Sequence, residues 1–216
     1  MVKEIIVIGA GLAGLTCSVK SANKNMHVKL FSPAHSERSQ SVMAMGGINA
    51  ALNTKGEDDS VNEHYTDTIN AGQHINNHNA VEKLTNDAPE IIDWLSKLGT
   101  SFTRDDDGNV DVWYFGGHKK MRTAYAASSI GNIALRYFGG QKKKRTAYAK
   151  SGIGKQLVSG ISSELRRKEA EGLVVSRISL RFVSPVMHEG RCIGAVFQKD
   201  DGSFEAIKAD AVIAAS

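Results

Sequence analysis

Three glycines open the question of chemistry in this chain. Gly9-Ala10-Gly11-Leu12-Ala13-Gly14 has the spacing Gly-x-Gly-x-x-Gly, follows four β-branched residues from Ile5 to Ile8, and leads into Leu15 to Asn25, which holds no proline or glycine. A β-branched run of this kind suits a strand buried on both faces, and glycines at this spacing open a helix. Gly9 permits the tight turn, Gly11 lets backbone approach a pyrophosphate, and Gly14 lets helix and strand pack closely. The helix start then offers unpaired N–H groups and partial positive charge to the anion. Other candidate chemistry is weaker. His74 and His78 have the i, i+4 spacing of a metal pair, but no Glu or Cys adjoins them, and Asn76-Asn77 suggests a loop. We read both, with His64, as solvated histidines, and assign no metal. Cys17 and Cys192 are isolated, without Cys-x-x-Cys spacing, which fits reduced thiols in a cytoplasmic protein. Lys3 precedes an apolar run as in a secretory leader, but Glu4, the glycines and the lack of a cleavage site oppose that reading.

The elements that must position the turn come next. Met26 to Phe31 alternates apolar and polar residues and is expected as a second strand, parallel to the first. An Asp or Glu at its end would bind ribose hydroxyls; the chain has Ser32-Pro33 instead, which leaves Ser32 a weaker contact and disfavours a plain NAD-binding domain. Small residues then cluster in Ser36-Glu37-Arg38-Ser39-Gln40-Ser41-Val42-Met43-Ala44-Met45-Gly46-Gly47-Ile48-Asn49-Ala50-Ala51.

The turn and this loop together resemble the flavoprotein subunit of fumarate reductase and succinate dehydrogenase. The resemblance implies FAD as cofactor, with Gly9 to Gly14, Ser32, Ser39, Gln40, Ser41, Met45, Gly46 and Gly47 as its contacts. It also implies one flavin-contacting loop from Ser32 to Gly47, and it accounts for a Ser at the end of the second strand. Membrane-bound members carry, where this chain has Gln40, the His that joins covalently to the flavin. Gln has no ring nitrogen for that bond, so the flavin is expected to be non-covalent, and a non-covalent flavin is the weaker oxidant, which favours fumarate reduction over succinate oxidation. The implied partners are a dicarboxylate, fumarate or succinate, and an iron-sulfur electron-transfer subunit, with the protein cytoplasmic or peripheral on the cytoplasmic membrane face.

Beyond the loop the pattern turns helical. Ser60 and Glu63 form a capping-box pair for a helix running to about Ala71. Asn79 to Leu98 has apolar residues at helical spacing, with Pro89 expected to break or kink it and Gly99 to end it. A tandem repeat follows: GNVDVWYFGGHKKMRTAYAASSI at Gly108 to Ile130 and GNIALRYFGGQKKKRTAYAKSGI at Gly131 to Ile153 share 15 identities over 23 positions. Two copies are too few for a solenoid, so this is a local duplication. The second copy runs directly into a helix expected from about Gly154 to Glu171. The resemblance places the Phe-Gly-Gly turn on one wall of the dicarboxylate pocket, hence Phe138 and Gly46 as substrate contacts and Phe115 as the rival, with one copy seated and the other inserted. The run Lys142 to Arg145 reads as a solvated loop rather than a nucleic-acid patch, and its charge could steer a dicarboxylate inward.

From Gly172 the pattern is of short strands, Leu173 to Ser176, Phe182 to Met187, Cys192 to Gln198 and Phe204 to Lys208, expected to form a small antiparallel sheet, with 209–215 returning to the parallel sheet. The 216 residues, 41% hydrophobic and 23% charged, suffice for a substantial core and contain no apolar run near the ~18 residues of a membrane span. The fold class is therefore α/β: a Rossmann-like FAD-binding domain with a parallel sheet, a helical insertion and a small antiparallel sheet. The chain is expected to be an incomplete FAD-binding domain over 1–216, with the repeat at 108–153 and the family's capping and C-terminal domains absent. No catalytic acid is assigned: Arg122, Arg136, Arg145 and His118 are local candidates that spacing does not separate. Alternatives stay open, namely an inactive FAD- or ADP-binding fragment, an L-aspartate oxidase-like enzyme, an NAD(P)-binding domain, and a chain that does not fold stably alone.

Overall fold

The computed structural model describes residues 3–114, 119–126, 134–136, 146–148 and 152–215; Phe115, His118, Phe138 and Arg145 lie outside the described residues. In chain order the elements are β1 (Glu4–Ile8), α1 (Leu12–Ala22), β2 (His27–Ser32), β3 (Ile48–Asn49), α2 (Val61–Ala71), α3 (His78–Lys97), β4 (Val112–Trp113) and β5 (Thr123–Ala124). There follow β6 (Ala134–Arg136), β7 (Thr146–Tyr148), α4 (Ile153–Ala170), β8 (Val174–Ile178), β9 (Leu180–His188), β10 (Arg191–Lys199), β11 (Phe204–Lys208) and β12 (Ala211–Ala214). They divide into two compact units, the first made of Met1–Met43 with Leu157–Ser216 and the second of Ala44–Gln156.

The first unit is built on a parallel sheet in the order β12-β1-β2-β8. Ile5 to Ile8 are all buried, as four consecutive β-branched residues in a strand flanked on both sides demand. A three-stranded antiparallel sheet, β11-β10-β9, packs on it. The shared core holds Ile6, Ile8, Phe31, Leu180, Ala195 and Phe197, with the Phe31 and Phe197 rings stacked at 4.1 Å. The Arg177 guanidinium lies 5.8 Å from the centre of the Phe31 ring and pairs with Glu205 of β11 at 2.8 Å, so a charged clasp joins the two sheets. β12 joins the parallel sheet as expected. β8 does not belong to the antiparallel sheet: Val28 pairs with Val174 and Ser32 with Ile178, both parallel. Its partner is set by the α4 crossover that returns it beside β2, which strand-length hydrophobicity does not encode.

The second unit is more mixed than a helical insertion. α2 and α3 are accompanied by a three-stranded sheet in the order β3-β5-β4, and β6 pairs antiparallel with β7. Two-residue strands leave no periodic signature, which is why the sheet is invisible in the sequence. Ser60 caps α2 as expected, its Oγ accepting from the Glu63 N–H at 3.1 Å. Asn77 caps α3 by accepting from the Ala80 N–H. Pro89 does not interrupt α3. Val81 and Ala88 on one side of it and Ile92 and Leu95 on the other are buried, and that burial outweighs the ~3 kcal/mol a helix-interior proline costs. His64 is also a correction: it lies on the inner face of α2 at 1% exposure rather than in solvent. His74 and His78 are exposed, and the His78 ring meets the Tyr65 hydroxyl at 2.8 Å.

Candidate functional site

In the first unit the turn after β1 has the backbone that its glycines suggest. Gly9 sits at φ +105°, a region that side chains avoid, and its N–H reaches the Phe31 carbonyl at 2.8 Å, tying the turn to the end of β2. Gly14 is buried on α1, and a Cβ there would lie 1.8 Å from the Gly9 carbonyl oxygen. Only glycine allows the helix to start this close to the strand. Gly11 is the N-cap in extended conformation, and Leu12 to Gly14 begin α1, whose first-turn N–H groups have no carbonyl partner within the helix. No charged side chain stands between Gly9 and Gly14, so anion binding here rests on backbone dipoles.

Two short 3-10 turns, Ser36–Arg38 and Gln40–Met43, follow β2. The Ser41 Oγ accepts from the Leu12 N–H at 3.1 Å, bringing the loop onto the α1 start, and a Cβ on Gly11 would lie 3.2 Å from the same oxygen. Between the turns, the Ser39 Oγ is buried with no hydrogen-bond partner. A buried hydroxyl without a partner is costly unless another group meets it. A cradle that a Cβ would fill, and an orphaned hydroxyl two residues before the Ser41 that closes on it, fit a dinucleotide cofactor. Ser32, at the carboxyl end of β2, is buried, and its Oγ accepts from the Ala34 N–H at 3.4 Å. Gln40 is exposed.

Met45, Gly46 and Gly47 belong to the second unit. Gly47 passes so close to β5 that a Cβ would lie 2.4 Å from the Ala124 carbonyl oxygen. The Ala44 carbonyl accepts from the Gly154 N–H at 2.9 Å, which fixes the other end of the segment to the start of α4. Arg122, adjoining β5, is fully buried and gives both prongs to Asp59, at 2.6 and 3.1 Å, and its remaining nitrogen to Asp67 at 2.9 Å. Its guanidinium is thereby committed to Asp59 and Asp67, which weighs against it as the local catalytic acid. Arg136 lies in β6. A second polar chain, half-buried at Asp111 and Tyr125 and exposed at Lys55, runs from Lys55 through Asp111 to Tyr125, at 2.5 and 2.6 Å. Burial, and then the Asp111 carboxylate, push the Tyr125 hydroxyl up to about 12. Burial works to raise Asp111, yet the Lys55 ammonium and the Tyr125 hydroxyl hold it below its ordinary value.

The structure thus gathers Gly9 to Gly14 and Ser41 at one place in the first unit, with Ser39 two residues before Ser41 and Ser32 at the neighbouring strand end, and holds Met45 to Gly47 in the second. Sequence reasoning missed Ile178, which the β2–β8 register sets beside Ser32 at the carboxyl ends of the parallel strands, where open α/β sheets bind ligands. Correct pairing of β8 would have found it. The second unit also has a cavity of about 830 Å³ walled by Gly47, Asn49, His64, Asp67, Lys83 and Leu84 among others. Among the described residues its one lysine, Lys83, is paired with Asp87. Among the described residues no group of three or more His, Cys, Asp or Glu could hold a metal ion, and no helix is long and apolar enough to cross a membrane.

Residues 4–216 match the family model described as FAD binding domain. The succinate dehydrogenase flavoprotein subunit of Bacillus subtilis (strain 168) is 38% identical over 215 residues, covering 99% of this chain and 33% of the relative. The fumarate reductase flavoprotein subunit of Mycobacterium tuberculosis (strain CDC 1551 / Oshkosh) is 40% identical over 121 residues, covering 55% of this chain and 20% of the relative. Among solved structures, E. coli quinol fumarate reductase FrdA superposes with a TM-score of 0.79 at 23% identity, over 100% of this chain and 32% of that one, a likeness of fold. The chain therefore spans about a third of the length of the relative it matches end to end.

Proposed function

The chain belongs to the FAD binding domain family, and from that premise we propose that it is the FAD-holding part of a flavoprotein of the fumarate reductase and succinate dehydrogenase type. The observation that carries the reading is the cradle itself. Gly14 against the Gly9 carbonyl, the α1 start and the orphaned Ser39 hydroxyl lie within a sequence that matches the family from residue 4 to 216. In this reading the N–H groups of Gly11, Ala13 and Gly14 bind the pyrophosphate, the Leu12 N–H being held by the Ser41 Oγ, while Ser32 holds the ribose, Ser39 and Ser41 orient the loop, and Met45 to Gly47 border the flavin ring. FAD, when bound, supplies hydride-transfer chemistry at flavin N5. Gln40 offers no ring nitrogen for a covalent link, so the cofactor is held non-covalently, and the favoured direction is reduction of fumarate to succinate. Gly46 and Phe138 form the wall on which the dicarboxylate rests. No catalytic acid is assigned. An iron-sulfur subunit passes electrons to the assembly, which sits in the cytoplasm or on the cytoplasmic face of the membrane.

The test is a visible absorption spectrum of the gel-filtered chain before and after acid precipitation, with oxidation of a reduced dye by fumarate followed in the same sample. Yellow flavin released into the supernatant supports non-covalent FAD; flavin retained in the pellet overturns the reading of Gln40. Dye oxidation that depends on fumarate assigns turnover to this chain, and bound flavin without turnover assigns it FAD binding alone. A colourless, monodisperse chain overturns the FAD reading.

A further inference from the structure

We propose that Arg122 is a positioning residue for the flavin-bordering loop, and that the first copy of the tandem repeat, rather than the second, performs this task. The inference rests on the FAD reading above. Arg122 spans three element ends at once. Its guanidinium grips Asp59, just before α2, and Asp67, within α2, while its own carbonyl accepts from the Ala50 N–H at 2.8 Å. The next residue, Thr123, donates from Oγ1 to Asn49 Oδ1 at 2.6 Å, and β5 pairs with β3 through Ile48↔Ala124 and Asn49↔Thr123. Gly47 enters this ladder with no room for a side chain against Ala124. The path of Gly47 is therefore dictated by where β5 lies, and β5 is fixed to α2 by an arginine whose side chain is 0% exposed.

A buried ion triad contributes little net stability over an apolar core of the same shape, so its geometric specificity is the feature that calls for a role. The two-pronged fork to Asp59 admits one orientation, which a flexible ammonium does not impose. The repeat makes the assignment sharp. Arg122-Thr123-Ala124-Tyr125 recurs as Arg145-Thr146-Ala147-Tyr148, yet Thr123 and Ala124 pair with β3, whereas Thr146 to Tyr148 pair with Ala134 to Arg136. Chemically identical tetrapeptides thus have different strand partners, and one of them adjoins the loop.

The experiment uses the full chain loaded with FAD and compares R122K, R145K and the double variant. It reads the FAD dissociation constant by flavin fluorescence, the position and fine structure of the visible flavin band, and the thermal midpoint by circular dichroism. R122K is expected to raise the dissociation constant about tenfold or more, equivalent to about 1.4 kcal/mol, and to shift the visible band while the chain stays folded. R145K is expected to match the unsubstituted chain. A lowered midpoint in R122K with unchanged affinity and band overturns the positioning role, leaving stability alone. Equal responses from R122K and R145K, or a defect only in the double variant, overturn the assignment to the first copy. Should R122K fail to fold, T123V removes just the bond to Asn49 and is expected to move the same two flavin readouts in the same direction; no movement overturns the proposal. Failure of the unsubstituted chain to take up FAD overturns the reading on which the proposal rests and is distinct from every outcome above.

Discussion

The nucleotide turn of the first unit presents six residues from Gly9 to Gly14 without a charge among them, whereas the Gly46–Gly47 segment of the second is backed by a buried arginine held between two carboxylates. The first is preorganised by what is missing, since hydrogen in place of a Cβ lets backbone touch backbone at Gly14. The second is preorganised by what is added, namely a polar triad and short strands linking residues that are 55 to 74 positions apart. Backbone cradles tolerate most changes that spare their glycines, while a polar brace fails when any one member is lost.

The largest expected effect tests the brace. Arg122→Met removes the cation and leaves Asp59 and Asp67 facing each other in the interior, and is expected to cost about 3–5 kcal/mol, read as the denaturant midpoint of the purified chain. A loss below about 1 kcal/mol would show that the triad is not what holds the second unit. The cradle comes next. Gly14→Ala sets a methyl 1.8 Å from the Gly9 oxygen and is expected to cost about 1–3 kcal/mol and to abolish FAD retention on gel filtration. Gly11→Val, by contrast, meets the flexible Ser41 hydroxyl at 3.2 Å and is expected to keep the fold while losing the cofactor; retention of a full complement of FAD would sink the cradle assignment. Ser60→Ala, which deletes the α2 cap, is expected to cost about 1 kcal/mol in a thermal melt.

The smallest effects are those of pH, and they separate the units. The Arg177 guanidinium holds Glu205 down at about 2 in the folded chain, so the stability that it supplies is present above the ordinary carboxylate range, and fades as pH falls toward 2. Tyr125, pushed up to about 12, supplies stability that is intact below 10 and is lost as pH rises from 10 to 12. Glu205→Gln should flatten the acid limb of a stability profile and Tyr125→Phe the alkaline limb; exchange of the two outcomes would contradict the pairing of each group with its unit.

What could be read from the residues was local. Ile5 to Ile8, the glycine spacing, α1, β2 and the Ser60–Glu63 cap all declare themselves within a few positions, because their causes lie in adjacent side chains and backbone angles. The errors lay where a distant partner decides. Pro89 remains within α3 because Ala88 and Ile92 are buried; His64 is interior because of what packs on α2; and the place of β8 depends on a crossover of the whole α4 helix. Nothing in the spelling of Arg-Thr-Ala-Tyr indicates which of its two copies will meet Asp59. Family resemblance supplied the cofactor, and the cradle's geometry then gave the resemblance a physical basis in Gly9, Gly14 and Ser39.

The pairing of Ile5 with Ala211 has a consequence for how the protein is made. A ribosome releases β1 and β2 among the first residues and β8 and β12 among the last of this stretch, so the parallel sheet stays open at both edges while the whole of the second unit, Ala44–Gln156, emerges between the halves of the first. Contacts within the second unit close over shorter loops and can form during elongation, ahead of the slow, long-range closure of the parallel sheet. Translation therefore delivers the Arg122 brace before β8 and β12, the two outer strands of the parallel sheet, and a nascent chain held at that stage would carry a β1–β2 pair with both edges open, which a chaperone could cover.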